Sequence, residues 1–297
     1  MQKETRSLWA NQSVIRVFLY LCLGLLLLGE CSIAAASPIP VFVSIAPQAY
    51  FVKKIGGDRV QVEVLVRPGA SPATYAPTPK QMARLASARV FFRIGVPFEN
   101  SLLPKIHRNM PSLYIVDISR DIKRLFVQQD GGQKSNELDP HTWLDPMLVK
   151  QQAAVIKATL SAIDPVGRNL YEKNYLQFAE ELDALDMRIR KKLKRVIGKT
   201  VFVYHPAYGY FCRAYGLHQK AVETGGKDPS PKHLARLIQE AKKEGVRVIF
   251  VQPQFSRKKA ETVARAIGGT VVVFDPLAYN YCDNLDRVAD QLAQMLR

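Results

Sequence analysis

Two histidines and an aspartate occupy positions at strand ends and in a turn where metal ligands often lie. His205 follows the apolar run 201–204, Asp275 follows the apolar run 271–274, and a proline comes directly after each. His141 lies in segment 139–146, where two prolines predict a rigid turn that enters a helix. Imidazole and carboxylate ligands together suit zinc or a neighbouring divalent ion. On spacing alone, a lone histidine after a strand is more often a core or hydrogen-bonding residue than a ligand.

Short β-rich runs alternate with amphipathic helical stretches on both sides of these residues. Strands are predicted at 41–45, 61–66, 90–94, 113–116, 201–204, 246–251 and 270–274, and helices at 206–215, 231–244 and 256–267. The alternation predicts parallel sheets, whose ligands gather beyond the carboxyl ends of the strands. The polar segment 128–138 is predicted to be a surface loop.

The longest helical pattern runs from about residue 166 to 196 and would measure roughly 45 Å. Its apolar stripe consists of Phe178, Leu182, Leu185, Ile189, Leu193 and Val196. A helix of this length outgrows one small lobe, so we expect it to bridge two. The predicted fold is α/β, with two βα lobes built on parallel sheets and joined by one long helix. The predicted boundaries are 1–36 for a signal peptide, 37–163 for the N-terminal lobe, 164–198 for the bridging helix and 199–297 for the C-terminal lobe.

The first 36 residues predict export. Three basic residues precede the apolar run 17–29, which is short for a membrane span, and small residues lead to a predicted cleavage after Ala36. The folded part is therefore expected in the periplasm. An uncleaved membrane anchor is one alternative. Lipidation at Cys31 is another, although the preceding Glu30 argues against it.

The chain carries a formal net charge of +16. Such a charge permits binding to nucleic acid or to anionic lipid. The basic residues are spread over predicted helices, as at 188–192, and form no aromatic and basic platform. We therefore expect no nucleic-acid partner.

Two of the four cysteines, Cys212 and Cys282, lie outside the predicted signal peptide. Each comes seven residues after a candidate ligand, His205 or Asp275. If those ligands converge, the segments that leave them stay close, and an oxidising compartment then favours a disulfide. Two separate buried thiols are the alternative.

The sequence resembles the ZnuA-like or TroA-like metal receptors of bacterial zinc and manganese ABC transporters. The resemblance covers nearly the whole mature chain and is carried by segments 44–47, 57–60, 68–79, 139–146, 205–210, 228–231 and 274–277. It implies the cluster A-I type of solute-binding fold, with a metal held at the lobe interface by up to four side chains. It also implies delivery of that metal to a membrane permease. Three ligand motifs are intact, at His141, His205 and Asp275, and we expect a monomer.

The first ligand motif departs from the family pattern Gly-Ala-Asp-Pro-His-x-Tyr-Glu-Pro. In segment 69–77, Ala73 replaces the histidine and Ala76 the glutamate. Three readings remain open: three ligands and a water hold the ion more weakly, a replacement ligand completes the site, or the scaffold binds another solute or a chelated metal. The candidates for a replacement ligand are Gln48, Glu99, Glu223 and Gln252.

The ligand types also bear on the metal and on enzymatic activity. In the family, a histidine at the place of His205 goes with zinc, whereas the carboxylate of Asp275 leaves manganese or iron open. Three ligands with an open fourth position also describe a zinc hydrolase. Such an enzyme needs a general base, and the family's glutamate position is Ala76. We therefore expect a receptor and not an enzyme.

Overall fold

The computed structural model describes residues 37–128, 134–223 and 230–296. The predicted signal peptide, including Cys31, lies outside these residues. No helix in the described part is both long enough and apolar enough to cross a membrane.

The N-terminal lobe is a four-stranded parallel sheet with helices around it. Its strands are β1 Ile39–Val43, β2 Val60–Val64, β3 Val90–Arg93 and β4 Tyr114–Asp117, in the order β2-β1-β3-β4. Its helices are α1 Ala46–Gly56, α2 Pro79–Ala86, α3 Phe98–Asn109 and α4 Pro146–Ile163. Val41 pairs with Val62 on one side and with Val90 on the other. These central strands are buried because a parallel sheet is covered on both faces.

A two-stranded antiparallel ribbon, β5 Phe126–Gln128 and β6 Lys134–Leu138, follows the first sheet. The prediction of a loop over 128–138 was therefore wrong for residue 128, which ends β5, and for residues 134–138, while residues 129–133 lie outside the described part. The strand was missed because its sequence, Lys-Ser-Asn-Glu-Leu, has no apolar alternation. It pairs with β5 rather than with either main sheet.

The long helix is α5, Arg168–Leu193, with 3-10 turns at Pro165–Gly167 and Lys194–Val196. It packs against α1 and α4 of the N-terminal lobe and against the last helix, α9 Tyr281–Met295. The whole predicted stripe, from Phe178 to Val196, is at most 1% exposed. Each such fully buried apolar side chain stabilises the fold by about 1.5–3 kcal/mol.

The C-terminal lobe has the same architecture as the N-terminal lobe, a four-stranded parallel sheet with helices around it. Its strands are β7 Thr200–Val203, β8 His218–Ala221, β9 Val248–Val251 and β10 Thr270–Val273, in the parallel order β10-β9-β7-β8. Its other helices are α6 Gly209–Ala214, α7 Pro231–Lys243 and α8 Arg257–Ala266. The edge strand β8 was not predicted because its sequence, His-Gln-Lys-Ala, is mostly polar. The two parallel lobes and the long helix confirm the predicted fold class.

The predicted disulfide between Cys212 and Cys282 is not formed in this structure, where both are free thiols. Seven residues after His205 the chain is already inside α6, and Cys212 is buried in the core. Seven residues after Asp275 the chain has only reached the start of α9, where Cys282 is partly buried. Equal spacing along the chain therefore did not bring the two sulfurs together.

Candidate metal-binding site between the lobes

A cavity of about 840 Å³ lies where the strands of both lobes end. The N-terminal lobe contributes residues 71–74 and the side chains of Arg93, Arg124, His141 and Trp143. The C-terminal lobe contributes, among others, His205, Glu223, Gln252 and Phe255. This is the place where polar side chains at the carboxyl ends of parallel strands are expected to meet.

His205 is fixed on three sides. Its backbone N–H donates to Gln252 Oε1 at 3.1 Å, and Gln252 Nε2 donates back to the His205 carbonyl at 2.9 Å. Its ring stacks on Phe255, with centroids 4.8 Å apart. Its Nδ1 lies 2.6 Å from Glu223 Oε2, and Glu223 is only 3% exposed. Because a carboxylate accepts the Nδ1 proton, the Nε2 lone pair is left for a metal.

The surroundings of His205 also set its protonation. Burial lowers the pKa of His205, and the nearby His141 acts in the same direction, while the hydrogen bond to Glu223 opposes them. Burial has the largest effect, so the imidazole is neutral at neutral pH. The neutral form is the one that binds metal ions.

His141 has the same kind of support. Asp139 Oδ1 accepts from the backbone N–H of His141 at 2.9 Å and lies 2.7 Å from its Nδ1. Asp139 is 3% exposed. The rings of His141 and His205 have centroids 5.3 Å apart at an interplanar angle of 72°. The fold thus brings together two imidazoles from different lobes, each held by a buried carboxylate.

Hydrogen bonds between the lobes hold these turns in place. The Trp143 indole N–H donates to the Pro276 carbonyl at 2.7 Å. The Tyr210 hydroxyl donates to the Asp139 carbonyl at 3.1 Å and accepts from the Leu125 N–H at 2.9 Å. The turn that carries His141 is therefore anchored to the C-terminal lobe at both ends.

Asp275 does not join the two histidines in this structure. Its Oδ1 accepts from the Leu277 N–H at 2.9 Å and from Gln254 Nε2 at 3.3 Å, so the side chain caps the turn that leaves β10. The next residues, Pro276 and Leu277, line the cavity. Among the described residues, no three His, Cys, Asp or Glu side chains are grouped closely enough to hold a metal ion.

The first ligand motif does reach the cavity, because Ala73 lies on its wall. Of the four candidate replacement ligands, Gln48 and Glu99 are fully buried in the N-terminal lobe. Gln48 accepts from the Ser44 and Ile45 N–H groups and donates to a β3 carbonyl. Glu99 accepts from the Ser44 hydroxyl at 2.5 Å and from the Gly95 N–H at 2.7 Å. Both side chains join the ends of β1 and β3 and are occupied there.

The other two candidates, Gln252 and Glu223, form hydrogen bonds with the backbone and the ring of His205, respectively. Sequence reasoning did not identify the orienting roles of Asp139 and Glu223. The Asp-Pro-His order was a signal for Asp139, since an aspartate can accept from the backbone N–H two residues later. Glu223 carried no such signal because it follows β8, the strand that was not predicted.

Comparison with known proteins agrees with this architecture. A family model described as the periplasmic zinc-uptake complex component A, ZnuA, matches residues 41–295. A Chlamydia muridarum protein named for metal binding is 30% identical over 256 residues, which cover 86% of this chain and 91% of that protein. The high-affinity zinc uptake system protein ZnuA of Bacillus subtilis is 28% identical over 249 residues, 80% of this chain and 78% of the relative.

A crystal structure of ZnuA is 37% identical and superimposes with a TM-score of 0.82, covering 88% of this chain and all of that one. These relatives are metal-binding and zinc-uptake proteins rather than enzymes, in line with the prediction from the missing base. The resemblance inferred from the ligand motifs is thereby confirmed. The chain belongs to the ZnuA family of periplasmic zinc-uptake components.

Proposed function

We propose that this protein is the extracytoplasmic receptor of an ABC transporter for divalent metal ions and that it captures zinc between its lobes. One observation carries the proposal: the rings of His141 and His205 lie 5.3 Å apart on the cavity wall, and a buried carboxylate engages Nδ1 of each ring. Carboxylate-supported imidazoles are the usual design of protein zinc sites. Membership of the zinc-uptake family supports the same function.

Zinc is favoured over manganese or iron because two imidazoles dominate the site. Asp275 is the third ligand in this proposal. No hydrogen bond to its Oδ2 is recorded within the described part of the chain, and its Oδ1 accepts from Gln254, whose side chain lines the cavity. Ala73 has no donor atom, so the fourth position is left to another ligand.

The remaining elements of the proposal concern the cell. The protein is exported to the periplasm, works as a monomer and hands the metal to a membrane permease. Export is tested by mass spectrometry of the protein recovered from the periplasm. A mature chain that begins at Ser37 supports the proposed cleavage, whereas a chain that retains residues 1–36 contradicts it.

Zinc capture is tested on metal-free protein by a competition titration against a chelator of known affinity. The parent protein is expected to bind one zinc ion per chain. Replacement of either His141 or His205 by alanine should weaken binding by more than the 10- to 100-fold typical of losing a partner behind a ligand, as an order of magnitude. His107→Ala is the matched control because His107 is exposed in the last turn of α3. Equal zinc affinity in all four proteins would refute the site.

A further inference from the structure

The cavity offers more than a site for a bare metal ion, because its wall carries the guanidinium of Arg124, for which no ion pair is recorded in the described part of the chain. We propose that a small organic anion with carboxylate groups enters the cavity together with the metal. One carboxylate oxygen binds the metal, and Arg124 binds the remaining carboxylate oxygens. This inference rests on the proposed metal function and specifies the chemical form in which the metal is captured.

Arg124 is firmly positioned by neutral groups. Its Nη2 donates to the Ile94 carbonyl at 2.8 Å and to the Ser119 hydroxyl at 2.5 Å. Gly95, with a φ of +90°, lies directly against the guanidinium, and a Cβ there would be 2.9 Å from Arg124 Cζ. A guanidinium has five N–H donors. Those on Nε and Nη1 have no hydrogen-bond acceptor recorded within the described part of the chain.

The other charges on the cavity wall are already engaged. Arg93 forms an ion pair with Asp117 at 2.5 Å, and Glu223 lies 2.6 Å from the His205 ring. Glu137 also lies on the wall, where it is exposed to solvent and makes an interaction of its own. No ion pair to Arg124 is recorded among the described residues. Its positive charge would repel a bare dication, and an anion between the two would remove that repulsion.

Backbone pairing places Arg124 close to the metal-binding turn. The Asp139 N–H donates to the Leu125 carbonyl at 2.8 Å, which continues the β5–β6 ribbon by one residue. Arg124 directly precedes Leu125, and His141 follows Asp139 by two residues. Both side chains line the cavity.

The size of the cavity and the coordination of zinc point to the same class of ligand. A water molecule takes about 30 Å³, whereas the cavity measures about 840 Å³ and falls within the roughly 300–1,000 Å³ of small-molecule sites. His141, His205 and Asp275 leave one position of a four-coordinate zinc ion open. A carboxylate can fill that position, and a second carboxylate on the same molecule can accept the paired N–H groups of Arg124.

The test uses native mass spectrometry and calorimetry on the purified protein, with citrate as the probe. Zinc alone, citrate alone, and zinc with citrate are compared, with phosphate as a separate arm. We expect a complex that contains both zinc and citrate, with citrate retained only when zinc is present. Arg124→Gln should weaken citrate binding to the zinc-loaded protein by about 10- to 100-fold while zinc binding alone is retained, which also shows that the variant is folded.

Arg120→Gln is the matched control, since Arg120 is exposed and pairs with Asp121. It should bind citrate as the parent does. Zinc bound without citrate, or parental citrate affinity in Arg124→Gln, would overturn the anion proposal and leave the zinc receptor intact. Retention of phosphate in place of citrate would contradict the carboxylate assignment. Failure to bind zinc in every arm would instead refute the proposed function itself.

Discussion

Replacement of Glu223 by glutamine should weaken zinc binding while the fold is kept. The Glu223 carboxylate accepts the Nδ1 proton of His205 at 2.6 Å and thereby holds the tautomer whose Nε2 is free. An amide can turn its NH₂ group toward the ring and then stabilise the opposite tautomer. Even in the favourable orientation, the neutral amide oxygen is a weaker acceptor than the carboxylate.

The expected size of this effect follows from the kinds of hydrogen bond involved. Bonds to a charged group contribute about 1.5–3 kcal/mol and neutral ones about 0.5–1.5 kcal/mol, so the exchange costs roughly 1–1.5 kcal/mol. That is about a tenfold loss of affinity, and orienting partners of metal-bound histidines reach about 100-fold. Stability should change little, because Glu223 Oε1 is buried without a hydrogen-bond partner in the described structure. Removing the charge of Glu223 lowers the desolvation cost of burying that unpaired oxygen.

The assay pairs a zinc competition titration with chemical denaturation of the metal-free protein. We expect a 10- to 100-fold weaker zinc affinity, as an order of magnitude, with the free energy of unfolding within about 1 kcal/mol of the parent. Glu240→Gln is the control, since it makes the same chemical change on α7, where Glu240 pairs with Lys220 at 3.1 Å. Parental zinc affinity in Glu223→Gln would refute the role given to this carboxylate, as would an equal loss in the control.

Three further predictions concern the first ligand motif, the contact between the lobes and the response to acid. Ala73→His should raise zinc affinity about tenfold or more, because it adds an imidazole to the cavity wall; calorimetry that shows no gain would mean that another group already holds the fourth position. Trp143→Phe should lower the free energy of unfolding by about 1–3 kcal/mol, measured in urea, because the buried Pro276 carbonyl loses its donor; an unchanged value would contradict that role. Asp164→Asn should destabilise the protein at pH 7 but much less near pH 3. The Arg59 guanidinium lowers the pKa of Asp164 in the folded state, so the ionised carboxylate stabilises the fold. That stabilisation is full above the unfolded pKa of about 3.9 and is lost as pH falls through the lower folded pKa. Urea titrations at both pH values check this, and an equal loss at each would refute it.

Much of the fold was predictable because it rests on hydrophobic periodicity. The stripe from Phe178 to Val196 and the apolar strands follow directly from burial on one helical face or inside a sheet. The edge strand β8 and the ribbon strand β6 are polar and show no such period. Each is held by hydrogen bonds to a neighbouring strand, β5 for β6 and β7 for β8. No periodic pattern in the sequence of either strand indicates that pairing.

The meeting of two candidate ligands was predictable, but their surroundings were not. The placement of His141 and His205 after strand and turn predicted their meeting across the cavity. The orientation of the Asp275 side chain was not predictable, because hydrogen bonds from Leu277 and Gln254 determine it. Glu223 was a candidate ligand in the sequence, but its role beside His205 became visible only when the fold placed β8 beside β7.

A crystal structure of the zinc-loaded protein, with anomalous data collected at the zinc edge, would show whether His141 and His205 hold the ion. We expect one strong anomalous peak per chain, within about 2.0–2.1 Å of Nε2 of both His141 and His205. In that structure Asp139 and Glu223 should still engage the Nδ1 atoms. A peak elsewhere on the protein, or zinc bound through Nδ1 of either ring, would contradict the account.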